Sequence, residues 1–173
     1  MDGFSTYYPV HALGHPFGIA IQAAGLLAHG NFERFPKIRR RFSRRRLDMG
    51  AVLSRSPGPF VPPKSSSSGL GQPTVGGPRA GEKASDYLRR QMRDGRVYVG
   101  FDVDDDGLGF AVQKAGREAF IFGSDFPHEV FNAEKCRHEI DQLLARGDLN
   151  DADKAAVLGG NAKRFYGLDG NGR

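Results

Sequence analysis

Ala119-Phe120-Ile121-Phe122-Gly123-Ser124-Asp125-Phe126-Pro127-His128 is the stretch whose reading decides the fold. Its first residues are an unbroken apolar run, too short for a helix and suited to a strand buried on both faces. Gly123, Ser124 and Pro127 then break the run, so Asp125 falls just past the strand's C-terminal end. In a parallel α/β fold, functional groups collect there. An aspartate in that place can ligate a hard or borderline cation and accept a proton from bound water. The alternative is structural: Asp125 caps a turn that Pro127 shapes.

The neighbouring sequence supplies the partners such a strand needs. Downstream, Asn132 is placed to cap a helix with Cys136, Ile140, Leu143 and Leu144 on one face. Asp151 is placed to cap a last helix with Leu158, Ala162 and Phe165 on one stripe. Upstream, Ser85 to Met92 reads as a short helix, Arg96 to Phe101 as a strand, and Asp105 to Ala115 as a helix stopped by Gly116. Strand, helix, strand, helix, helix is the order of an α/β fold with a parallel sheet. No internal repeat is evident.

Nearer the N-terminus, Met1 to Ile38 reads as folded. Pro16 suits a helix start, where its missing N–H costs little. Ile19 to Ala28 follows, apolar on nearly all sides, which predicts burial on more than one face. Gly30 is its expected stop. From Arg39 to Lys83 periodicity fails. Ser54 to Glu82 holds six Pro, six Gly and six Ser, a composition that buries too little apolar surface to offset its ordering entropy.

The 173 residues suit one ordinary domain and fall short of the ~250 typical of a complete (β/α)8 barrel. The net charge of +5 invites a nucleic-acid reading. It is local, however: Arg34 to Arg46 carries eight basic residues and no acidic one, and elsewhere acidic residues outnumber basic ones, 20 to 17. The single cysteine, Cys136, excludes an internal disulfide and a cysteine-cluster metal site, and a reducing, cytoplasmic compartment is the default. The N-terminus does not read as a signal peptide, and the most apolar stretch is far short of a membrane span.

Three further constellations have two readings each. Asp102-Val103-Asp104-Asp105-Asp106-Gly107 matches the opening of a calcium loop, but position 12 is Gln113 instead of a bidentate Glu. The other reading is an acidic turn favourable to a helix N-terminus. His11 and His15 have His-x3-His spacing, yet Gly14 and Pro16 argue against one helix through both; His29 and His138 read as surface or boundary residues. Arg39-Arg40-Arg41 and Arg44-Arg45-Arg46 are either a nucleic-acid patch or a solvated run. Only Phe42 interrupts them as a stacking aromatic, which makes nucleic acid an unlikely partner.

Two separated segments resemble the amidohydrolase-related family that includes aminocarboxymuconate-semialdehyde decarboxylase and γ-resorcylate decarboxylase. One runs from Ile121 to His128, followed by Gly159-Gly160-Asn161-Ala162-Lys163-Arg164-Phe165-Tyr166-Gly167-Leu168. The other comprises His15-Pro16-Phe17-Gly18 and Gly30-Asn31-Phe32-Glu33-Arg34-Phe35-Pro36-Lys37. Ser85-Asp86-Tyr87-Leu88 and Val97 to Phe101 also fit. The resemblance implies a (β/α)8 barrel with one divalent metal, often zinc, at its C-terminal face, acting on a small-molecule substrate. Asp125 carries over as the catalytic, metal-binding carboxylate; His15 and His128 carry over as pocket-side positions. The family's first-strand ligand pair and fifth-strand His have no counterpart in this sequence.

The implied fold is α/β, the C-terminal portion of a TIM barrel, incomplete, with a disordered central segment. Residues 1–38 form the helix and turn before strand six, 39–83 the disordered basic and Pro/Gly/Ser-rich segment, 84–168 strands seven and eight with their helices, and 169–173 a tail. The implied function is a fragment of a metal-dependent hydrolase, inactive as this chain. The alternatives are a non-oxidative decarboxylase of the same family and a non-enzymatic basic nucleic-acid-binding protein. A membrane is not an expected partner; a homo-oligomer is expected only of the intact parent.

Where the family has a strand followed by Gly-x-x-Trp-x-Pro-x-x-Leu-Asp-Arg-Leu-Asp, Arg39 to Pro63 has none of it. A one-nucleotide shift restores much of the pattern. Met49 then Gly50 gives TGG, tryptophan; Ala51 then Val52 permits proline; Ser54 to Pro59 permits Leu-Asp-Arg-Leu-Asp. Residues 39–81 therefore read either as an out-of-frame stretch or as a divergent insertion, and the nucleotide sequence separates the two.

Overall fold

The computed structural model describes residues 7–43, 78–79, 81–124 and 132–168, without the side chains of 7–16 and Ser43. Helix α1 (Tyr7–Ala28) leads into a one-turn helix α2 (Asn31–Arg34) and strand β1 (Arg40–Ser43). Then come α3 (Ala84–Arg93), β2 (Val97–Phe101), α4 (Leu108–Ala115) and a 3-10 turn (Arg117–Ala119). Strand β3 (Phe120–Phe122), α5 (Ala133–Ala145), α6 (Asp151–Ala155), a π-helical turn (Ala156–Gly160) and α7 (Asn161–Tyr166) complete it.

The three strands form one sheet in the order β1-β2-β3, both pairings parallel, as the α/β reading expects. Val97 to Phe101 is buried at every position, the mark of a strand covered on both faces. Register fixes the two faces. Phe42 pairs with Val99, which pairs with Phe120, and Phe101 pairs with Phe122. These side chains meet Leu88 and Met92 of α3, Leu108 and Val112 of α4, Leu143 of α5 and Val157. Alternation puts Arg41, Tyr98, Gly100, Ile121 and Gly123 on the opposite face.

Four expectations change. Arg40 to Ser43, expected to be disordered, is β1: the backbone hydrogen bonds of β2 impose a strand that these side chains do not favour. Residues 44–77 of that expected segment lie outside the described residues, as does the tail at 169–173. Helix α1 begins at Tyr7 and runs through Gly14 and Pro16. Pro16 forfeits one ladder bond, and the uncharged, largely apolar turns on either side retain theirs. The expected burial of α1 on several faces is replaced by one packed side, through Leu26 and Leu27, with Phe17 and Ile21 59% and 68% exposed. The last cap is Asn150, which forms a reciprocal capping box with Asp153; Asp151 is the first helical residue. The Asn132 cap is as expected, its side chain accepting from the Lys135 N–H.

Three side-chain ties fix the sheet's surroundings. The Glu33 carboxylate accepts from the Tyr87 hydroxyl and from Gln91 Nε2 at 3.1 Å, joining α2 to α3. Arg96 stacks over Phe32 and donates to the Phe32 and Phe35 carbonyls, closing the turn before β1. Asn161 Nδ2, buried, donates to the carbonyls of Arg117 (2.6 Å) and Phe120 (2.7 Å), so α7 is pinned to the start of β3.

Candidate functional site at the end of strand β3

β3 ends at Phe122, and Gly123 and Ser124 continue to the limit of the described stretch. Asp125 and His128 lie in residues 125–131, outside the described residues. His15 falls within α1, where side chains are not described. The continuous helix places His11 and His15 one turn apart, contrary to the break expected at Gly14 and Pro16. The side chains of all three expected site residues thus lie outside what the structure describes.

What it does bring to the end of β3 is a group the sequence did not single out for this place. Arg41 projects from β1 onto the face shared with Tyr98, Ile121 and Gly123. A methyl group at Gly123 would meet Arg41 Nη2 at 2.7 Å, so the guanidinium lies directly against the glycine. Arg41 Nε is buried and has no hydrogen-bond partner. Tyr98, at the start of the same face, is fully buried beneath the ring of Phe165, 5.1 Å away edge-on. Its hydroxyl accepts from Arg164 Nε at 3.0 Å, and Arg164 Nη2 donates to the Glu118 carbonyl at 2.8 Å.

The basic run is thereby divided. Arg39 Nη1 donates to the carbonyls of Arg164 (2.7 Å) and Phe165 (3.3 Å), supplying a cation where the helix dipole of α7 is negative. Arg41 faces Gly123, and Arg44 to Arg46 lie outside the described residues.

The acidic stretch after β2 resolves as a turn. Asp105 Oδ1 accepts from the Gly107 N–H at 2.9 Å, which delays the helix to Leu108. Arg146 Nη1 donates to the Val103 and Asp105 carbonyls, at 2.9 and 3.0 Å. Its Nε and Nη2 clamp Asp148 at 2.9 and 2.7 Å. A guanidinium is thus seated on the backbone of the acidic turn. Hydrogen bonding to Arg146 holds the Asp148 carboxyl below its usual range. A second clamp joins Arg90 to Glu82 at 2.9 and 3.0 Å, and lowers the Glu82 carboxyl likewise. Burial, then the hydrogen bond to Glu33, pushes the Tyr87 phenol well above its ordinary value.

Among the described residues no group of three or more His, Cys, Asp or Glu side chains could hold a metal ion. The side chain that reaches the end of β3 is itself a cation. Among the described residues no helix is long and apolar enough to cross a membrane.

Residues 103–168 match the family model described as Amidohydrolase. The match runs from the acidic turn through α4, β3 and α5 to the end of α7. No curated protein matches the chain.

Proposed function

Proceeding from the amidohydrolase match over residues 103–168, we propose that the chain is part of a hydrolase of that superfamily acting on a small organic molecule. The observation that carries this reading is β3 itself. It is a short parallel strand, and the sequence places Ser124-Asp125 immediately beyond its C-terminal end, within the family match. A carboxylate there would hold a proton and return it to a leaving group, as general acid–base chemistry requires. Asp125 is assigned that role, with His15 and His128 as pocket-side groups. Non-oxidative decarboxylation is the second outcome of the same arrangement, with Asp125 delivering its proton to carbon. The engagement of Arg39 within the fold favours a small-molecule partner over nucleic acid.

As it stands, this chain is proposed to bind zinc weakly and to be without turnover, because Asp125 alone carries over from the family's ligand set. Equilibrium dialysis against zinc, with an ester hydrolysis assay on the same sample, is the test. Micromolar or weaker binding with no zinc-dependent rate is expected. Stoichiometric tight binding accompanied by zinc-dependent hydrolysis would overturn it.

A further inference from the structure

We infer that the chain associates head to tail with a second copy of itself. The end of the sheet where the strands begin, in one copy, takes the region of the acidic turn after β2 in the next. The inference stands on where charge and exposed apolar side chains fall, and does not depend on the amidohydrolase reading.

Three parallel strands give the sheet two unlike ends. Where the strands begin, the fold gathers three segments. Arg39 holds the end of α7, Arg96 holds the turn after α2, and Arg164 lies against Gly95. Residues 34–40, 93–96 and 161–166 carry eight basic residues and one acidic residue, Asp94. Arg39, Arg96 and Arg164 donate to neutral oxygens, which leave their charge uncompensated. Arg34, Lys37, Arg40, Arg93 and Lys163 are exposed. At the other end, Arg146 joins the acidic turn after β2 to the connection between α5 and α6. Residues 102–107 and 146–151 carry six aspartates and one arginine. That arginine is clamped by Asp148, whereas Asp104 and Asp106 are exposed.

Each end also exposes large apolar side chains. Phe35, Tyr166 and Leu168 stand among the cations. Phe110, in the first turn of α4, and Leu144, two residues before Arg146, stand near the aspartates. Among the described residues, the other exposed large apolar side chains are Phe17 and Ile21 of α1. Exposed apolar side chains rimmed by charge are the makeup of a protein–protein contact. A phosphate backbone or an anionic surface would account for the basic end alone, whereas a second copy accounts for both. Two unlike patches meet in a heterologous contact, which repeats into an open chain unless it closes a ring. Attraction between exposed charges is screened by salt, so the contact is salt-sensitive.

Sedimentation velocity on the full chain tests this. In low-salt buffer the average mass should rise with protein concentration. It should return to that of one chain at roughly 0.5 M salt, where the screening length is a few ångströms. Lys37→Glu with Lys163→Glu impairs the basic end and leaves the acidic one. Asp104→Asn with Asp106→Asn does the reverse. Each double variant alone should self-associate about ten-fold more weakly than the parent. Their equimolar mixture should regain the parent's affinity yet stop at pairs, because one intact contact survives between them. Circular dichroism checks helix content; Arg93→Glu and Asp151→Asn, at the same two ends, replace a double variant that loses it. A parent that stays monomeric in low salt overturns the inference. Association that persists at high salt, or unchanged in both double variants, also overturns it and places the contact on α1. So does a mixture that behaves as the two variants do apart.

Discussion

Glu82 and Arg90 show how single residues set the acid response. The Arg90 clamp lowers the Glu82 carboxyl below its ordinary value of 4.5, so the folded state holds its proton less readily than the unfolded chain. A depressed carboxyl contributes stability that is present above the unfolded value and is lost as pH falls through the folded one. Asp148, held down by Arg146, adds to the same trend below its ordinary value of 3.8. Glu82→Gln should therefore be less stable than the parent at neutral pH, by about 1 kcal/mol for a partly exposed pair. The gap should close as urea melts are repeated below about pH 4. A gap that persists unchanged at pH 3 would show that Glu82 acts by packing and not by charge.

The contact of α7 with β3 rests on one buried amide. Asn161 satisfies two carbonyls at once, and replacing it leaves both without that donor. Asn161→Ala should cost about 1–3 kcal/mol in a urea titration; a loss within error of zero would mean that α7 is held by Phe165 on Tyr98 instead. This tie lies inside a segment that sequence patterning read as one amphipathic stripe, and the π-helical turn at Ala156–Gly160 is what re-aims it. Legibility differed by element for physical reasons. β2 and β3 were legible because continuous apolar runs have few other uses. α4 starts a turn later than read, because the Asp105 side chain competes for the Gly107 N–H. β1 was illegible: Arg40, Arg41 and Ser43 carry no strand pattern, and only pairing with β2 makes them one. The candidate site shares that difficulty. The position of Asp125 could be read from a strand's end, but Arg41 reaches Gly123 across a sheet, from a part of the chain where local pattern says nothing.

For the molecule as a whole, the pairing of β1 with β2 closes a long loop, residues 44–96, whereas β2 and β3 are joined by residues 102–119 only. Closing a loop roughly three times longer costs about 1 kcal/mol more in chain entropy. β1 has only four residues and begins with two arginines. It should therefore be the last strand to dock and the first to leave. Amide hydrogen exchange should show Arg41 to Ser43 exchanging through a low-energy opening, with Val99 and Ile121 protected until global unfolding. Equal protection across the three strands would contradict this order.

That order bears on Arg41 in a further way. Because the guanidinium reaches Gly123 only when β1 is docked, undocking returns the buried Arg41 Nε to water. Hydration of that N–H favours the open state, so the residue that fills the face at Gly123 also loosens the strand that carries it.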